Sequence, residues 1–200
     1  MIIESIKKLL AIFQYNVVGI MLTSLLNSVF LITLGIAVFS HSYAVPAAGE
    51  YQIKSVFVYN FVNFVTWPET AFSSSDSDFN ICLLGDDPFG ILLDVTTEGQ
   101  KAGDRPIVVQ RIKRISDIRP CQILFVSNSE ESRLADIFAF TERYTILTVS
   151  DVENFIKQGG MIEFFNSNNK VRLGINPKLV RDADLHIDAN LIQLSTVIEP

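Results

Sequence analysis

The sequence predicts an α/β fold in three layers, α-β-α, around a mixed, mostly parallel sheet of about five or six strands with a C-terminal hairpin. Three observations carry this. Short continuous apolar runs, such as Phe79–Leu84 and Ile123–Val126, read as strands covered on both faces. Amphipathic stretches with capping residues alternate with these runs. The last two strand candidates, Met161–Phe165 and Lys170–Ile175, flank the polar segment Asn166-Ser167-Asn168-Asn169, which suits a hairpin with a four-residue turn.

Residues 1–44 stand apart from this pattern. Lys7 and Lys8 precede a stretch from Val17 to Phe39 that has no charged residue, and Ser42-Tyr43-Ala44 puts small residues where a signal peptidase inspects the chain. That order marks a secretory signal and an exported, periplasmic protein. The alternative is an uncleaved inner-membrane anchor, since about 20 apolar residues span a bilayer. Residues 45–200 are expected to form one domain, long enough to bury its own core. The whole chain has 16 Lys and Arg against 22 Asp and Glu; setting aside Lys7, Lys8 and Glu4 leaves 14 and 21, a net charge of −7. Such a domain has no basic footprint for nucleic acid and no polybasic patch for anionic lipid.

Glu50 to Val65 reads as a helix. Ile53, Val56, Phe57, Asn60, Phe61, Phe64 and Val65 recur at three- and four-residue spacing and are expected to face the core. Trp67-Pro68 ends it, because the residue before proline disfavours helical backbone. The polar run Ser73–Asp78 is a loop. After the strand Phe79–Leu84, Gly85-Asp86-Asp87 turns the chain, and Asp87 is expected to cap a helix that has Pro88 at its first position and continues from Phe89 to Val95. Arg105-Pro106 leads into a β-branched strand, Ile107–Ile112. Beyond Ile123–Val126, Ser127-Asn128-Ser129-Glu130 has capping-box spacing and opens a helix to about Thr141. Thr145–Val149 is the next strand. Ser150-Asp151-Val152-Glu153 repeats the box and opens a helix to Gln158, closed by Gly159-Gly160. Asn176-Pro177 starts a further helix, and Asp188 caps the last, with Leu191, Leu194, Ser195 and Ile198 on one face.

If the strands are parallel neighbours, the turns at Gly85-Asp86-Asp87, Ser127-Asn128-Ser129 and Ser150-Asp151 share one rim, where open α/β sheets take their ligands. Asp86, Ser127, Asn128 and Asp151 are then the candidate ligand or partner residues. Helix capping alone selects the same residue types, so both readings stand. No catalytic constellation emerges. His186 is the sole histidine after the leader, and Gly-x-Ser-x-Gly, zinc-ligand and phosphate-loop patterns are all missing. A non-enzyme without cofactor or metal is expected. Cys82 and Cys121, the two cysteines of the chain, are expected to pair in an oxidising compartment. A redox-sensing pair and two unbonded buried thiols are the alternatives.

Trp67-Pro68, Ile81–Gly90, Arg105-Pro106-Ile107, Cys121–Ser127, Leu147–Asp151, Gly159-Gly160-Met161-Ile162, Lys170-Val171-Arg172 and Ala189–Leu194 fall in the order found in YfiR-like proteins. The chain resembles that family over nearly all of residues 45–200. The resemblance implies a periplasmic repressor that binds the periplasmic domain of an inner-membrane diguanylate cyclase of the GGDEF type and keeps it off. It implies control of cyclic-di-GMP and biofilm, a homodimer, and sequestration by a peptidoglycan-associated lipoprotein. There is one departure: Val149–Phe165 contains no cysteine, so the family repressor's second cysteine pair is missing. Redox control through that bridge does not carry over. The competing reading is a small-ligand-binding or delivery protein of the envelope that uses the rim of polar turns.

Overall fold

The computed structural model describes residues 47–199, and the expected leader lies outside them. Helix α1 (Ala47–Phe64) runs into the two-residue strand β1 (Val65–Thr66), stopped by Trp67-Pro68. The apolar strand β2 (Phe79–Leu84) leads through a polar turn to α2 (Leu92–Thr97), β3 (Lys101–Ala102) and β4 (Arg105–Ile112). The strand β5 (Ile123–Val126) is followed by a 3-10 turn (Asn128–Arg133) that continues into α3 (Leu134–Thr141). Then come β6 (Leu147–Ser150), the hairpin β7 (Ile162–Ser167) and β8 (Lys170–Ile175), α4 (Pro177–Asp182), β9 (His186–Ile187), α5 (Ala189–Gln193) and β10 (Thr196–Val197).

The main sheet has the order β10-β8-β7-β6-β5-β2-β4-β3. Five of its seven neighbouring pairs are parallel; β7 with β8 and β3 with β4 are antiparallel. A separate two-stranded ladder pairs β1 with β9. The alternating direction of strand side chains divides the core into two layers. Ile81, Leu83, Ile123 and Phe125 point to one face, against Phe61 of α1, Leu93 of α2, Val180 of α4 and Leu191 of α5. Cys82, Leu84, Leu124 and Val126 point to the other, against Ile137 and Phe138 of α3 and Phe155. Helices therefore cover both faces, as the largely apolar strands β2 and β5 require. Cys82 and Cys121 form a disulfide that ties β2 to the segment leading into β5.

The mixed, mostly parallel three-layer sheet agrees with the expected fold class. It has more strands than expected because two-residue strands at its margins, β3 and β10, carry too little pattern to read. Other expectations need correcting. Asp87 does not cap a helix: its Oδ1 accepts from the N–H groups of Phe89 (2.8 Å) and Gly90 (3.2 Å), closing a turn, and α2 begins only at Leu92. Ser150 does not open a helix either. It ends β6, its hydroxyl donates to the Val126 carbonyl (2.6 Å), and only a 3-10 turn forms at Ile156–Gln158. The buried Glu163 carboxylate accepts from Asn154 and Ile156 N–H, both at 3.1 Å, and holds that turn in place of a helix. A Cβ at Gly160 would overlap the Phe155 ring beside it.

The hairpin turn has two residues, not four. Asn168 (φ 52°) and Asn169 (φ 58°) both take the left-handed conformation that such tight turns demand and asparagine tolerates. Along α1, Val58, Phe61 and Val62 are buried, but Ile53 and Val56 are each 47% exposed and do not belong to the core stripe. On α5 only Leu191 is buried, and Leu194 lies outside the core. The caps at Asn176 and Asp188 form as expected: Asn176 Oδ1 accepts from Lys178 and Leu179 N–H, and Asp188 Oδ1 from Asn190 N–H.

Candidate functional site

β6, β5 and β2 are parallel neighbours, so the turns that follow them meet at one rim. Local hydrogen bonds join each turn to the next. Ser127 N–H donates to the Leu84 carbonyl, and Asp86 N–H donates to Ser129 Oγ (2.9 Å). Gly85 makes that approach possible: its φ is +93°, and a Cβ there would overlap Ser129 Oγ. Ser127 Oγ accepts from Ser129 N–H and starts the 3-10 turn that precedes α3.

Asp151 is the centre of the rim. Its Oδ1 accepts from Asn128 Nδ2 (2.9 Å), and its Oδ2 accepts from Tyr51 OH (2.8 Å) and Lys54 Nζ (2.6 Å). Lys54 also pairs with Glu50 at 2.5 Å, and Glu50 accepts from Asn166 Nδ2 of β7. The side chains of Lys54 and Asp151 are only 4% and 6% exposed. The Lys54 ammonium lies 4.5 Å from the Tyr51 ring centroid, and that ring packs edge-on against Phe89. The first turns of α1 are therefore bound to the rim through a desolvated charge network. Both Asp151 oxygens are engaged, so its chemistry is that of a lock between helix and sheet.

The other candidates separate from this centre. Asp86 is 85% exposed and pairs with Lys113 Nζ (2.9 Å), which also donates to the Gly85 carbonyl. Asp87 Oδ2 accepts from Arg111 Nε (3.0 Å), and Arg111 also holds Asp94 and the Gly90 carbonyl. His186 lies exposed on β9. Of the four rim residues named from the sequence, the structure brings Asn128 and Asp151 into contact, leaves Ser127 as a cap, and sets Asp86 apart. Glu50, Tyr51 and Lys54 were missed. The one local signal for them was the Glu50–Lys54 spacing of four, a helix-surface pair.

The electrostatics give a pH signature. The Lys54 hydrogen bond holds the Glu50 carboxyl below its ordinary 4.5, and the Arg111 hydrogen bond holds Asp94 below 3.8. Burial, then the hydrogen bond to Asp151, push the Tyr51 phenol up. A carboxyl depressed by folding adds stability that is complete above its ordinary value and is lost as pH falls through the depressed one. A raised phenol has the opposite sign: its contribution is complete below about pH 10 and is lost above that. Thermal unfolding followed by circular dichroism should show a plateau between these ranges, with acid loss below about pH 4 that is shallower in Glu50→Gln. A midpoint that does not move between pH 6 and pH 3 counts against the network.

Comparison with known proteins places the chain. The sequence profile described as YfiR/HmsC-like matches residues 51–196. The chain belongs to the YfiR/HmsC-like family. The family match covers every element from α1, after its first turn, to the first residue of β10, and includes Tyr51, Lys54, Asn128 and Asp151 but not Glu50. No curated protein matches the sequence. Among solved structures, a conserved domain protein from Vibrio cholerae O1 biovar El Tor is similar at a TM-score of 0.51 with 7% identity, over 74% of this chain and 60% of that one. The ABC domain from Streptococcus pneumoniae, solved with L-Trp, aligns at a TM-score of 0.49 with 9% identity, over 74% and 62%. At such identity the Vibrio cholerae likeness speaks to fold alone.

Proposed function

We propose that this YfiR/HmsC-like protein is an exported, non-catalytic regulator that binds the periplasmic domain of an inner-membrane signalling protein, a diguanylate cyclase of the GGDEF type, and holds it inactive. In this reading residues 1–44 are the export signal, residues 45–200 the working domain, and the acting form is a homodimer. Family membership over residues 51–196 carries the proposal. Two features support it. The rim that would hold a substrate in an α/β enzyme is instead taken up by Asp151, Lys54 and Tyr51 bonding to one another. The disulfide suits an oxidising compartment. Among the described residues no helix is long and apolar enough to cross a membrane.

Deleting the gene in its host should raise cyclic-di-GMP and surface adhesion, and a plasmid copy should restore both. The exported protein should co-purify with a membrane cyclase. Unchanged cyclic-di-GMP together with no co-purifying cyclase would sink the reading.

A further inference from the structure

The opposite rim of the sheet is open. Where β2, β5 and β6 begin, a cleft of about 450 Å³ lies between the loop around Phe72–Asp78 and the segments Arg119–Gln122 and Arg143–Ile146. That volume falls within the usual range for small-ligand sites, roughly 300–1,000 Å³. Two arginines line it, Arg119 and Arg143. Among the described residues neither has a carboxylate within 4.0 Å, whereas Arg105, Arg111, Arg114 and Arg133 each have one. Aromatic rings steady both guanidinium groups: Arg119 lies 5.8 Å from the Tyr144 ring centroid, and Arg143 5.2 Å from that of Phe140. Arg119 spends one N–H on the Tyr144 hydroxyl at 3.4 Å, which leaves the rest of its five donors for other partners.

The walls between these arginines are rigid. The Gln122 side chain accepts from Asn80 N–H (2.7 Å) and donates to the Ala71 carbonyl (2.8 Å). The Gln122 carbonyl accepts from Trp67 Nε1, and the adjacent Cys121 is bound to Cys82. A cleft with braced walls and unneutralised guanidinium donors at its mouth is an arrangement that recognises an anion. Asp78 shares the lining and opposes a highly charged ligand.

We propose that this cleft is a binding site for a small ligand with a single carboxylate or phosphate group, gripped by Arg119 and Arg143. The site does not depend on the cyclase reading, and either can fail without the other. It lies at the end of the sheet that open α/β proteins usually leave unused, because α1 has closed the usual end with Lys54.

The test is a titration of the isotope-labelled domain in chloride buffer with inorganic phosphate and, separately, with acetate, reading the backbone amides of Gln122, Tyr144 and Thr145. Saturable shifts at these residues are expected with at least one anion, and the anion that gives them identifies the ligand class. Arg119→Ala with Arg143→Ala should weaken that binding about tenfold or more, as loss of charge-assisted hydrogen bonds implies. Asp78→Asn should tighten it. Arg172→Ala, which alters an exposed residue of β8 outside the cleft, should leave it unchanged. The exposed cleft arginines can be removed without unfolding the domain, and the unchanged spectrum elsewhere verifies that. No saturable shift with either anion overturns the proposal. So does a loss with Arg172→Ala as large as with the cleft pair, which means nonspecific charge attraction.

Discussion

Replacing Lys54 with alanine should destabilise the protein by about 3–5 kcal/mol, the usual cost of leaving a buried partner charge uncompensated. Asp151 and Glu50 both lie within 2.6 Å of the Lys54 ammonium, and Asp151 has almost no exposure to water. For a domain of this size the loss corresponds to roughly 10 °C in thermal midpoint. The cause can be isolated with a second variant. Lys54→Met combined with Asp151→Leu removes both charges and fills the space with apolar atoms, so it should recover much of the loss. If the double variant is as unstable as Lys54→Ala alone, shape rather than charge holds α1 to the sheet.

The second large effect concerns the bridge. The disulfide closes a loop with a sequence separation of 39 residues. Chain-entropy arguments give such a loop roughly 4 kcal/mol of stabilisation. Cys82 and Cys121 are both buried, so alanine at both positions adds a small packing loss in the layer beneath α3. Oxidised protein, denatured without reductant, should show no reactive thiol, and reduction should expose two. The reduced protein and the Cys82→Ala, Cys121→Ala variant should melt at similarly lowered temperatures. A melting point indifferent to reductant would show that the bridge contributes nothing.

The parts of this molecule that could be read from the sequence are those with short-range causes. β2, apolar apart from Asn80, and β5, apolar throughout, are short runs whose ends coincide with the strands observed. Asn176-Pro177 and Asp188 act through amides two or three residues away. The failures have long-range causes. Ser150 and Glu153 carry the letters of a capping box, but Ser150 donates to Val126 in the neighbouring strand β5, and Glu163, nine residues beyond Asn154, holds that residue's N–H. Apart from its spacing from Glu50, nothing local singles out Lys54 on α1; its partner Asp151 is 97 positions away. The rim was identified correctly as a meeting place of turns. What Asp151 does there depends on a helix whose docking no local pattern encodes.

The margins of the sheet have a consequence for how the protein keeps to itself. A strand edge with free N–H and C=O groups invites another chain to add on, and long bare edges seed polymers. Here one margin is closed by β10, whose two residues lie parallel to Gly174 and Ile175 while Ile198 N–H donates to the Ile175 carbonyl. The rest of β8 presents the exposed charges of Lys170 and Arg172. At the far margin the two-residue β3, with the exposed Lys101, pairs only with Arg105 and Pro106 of β4. The β8 margin thus resists intermolecular strand addition with very few residues. Losing Thr196–Ile198 would uncover the aggregation-prone half of β8, the part that has no charge to protect it.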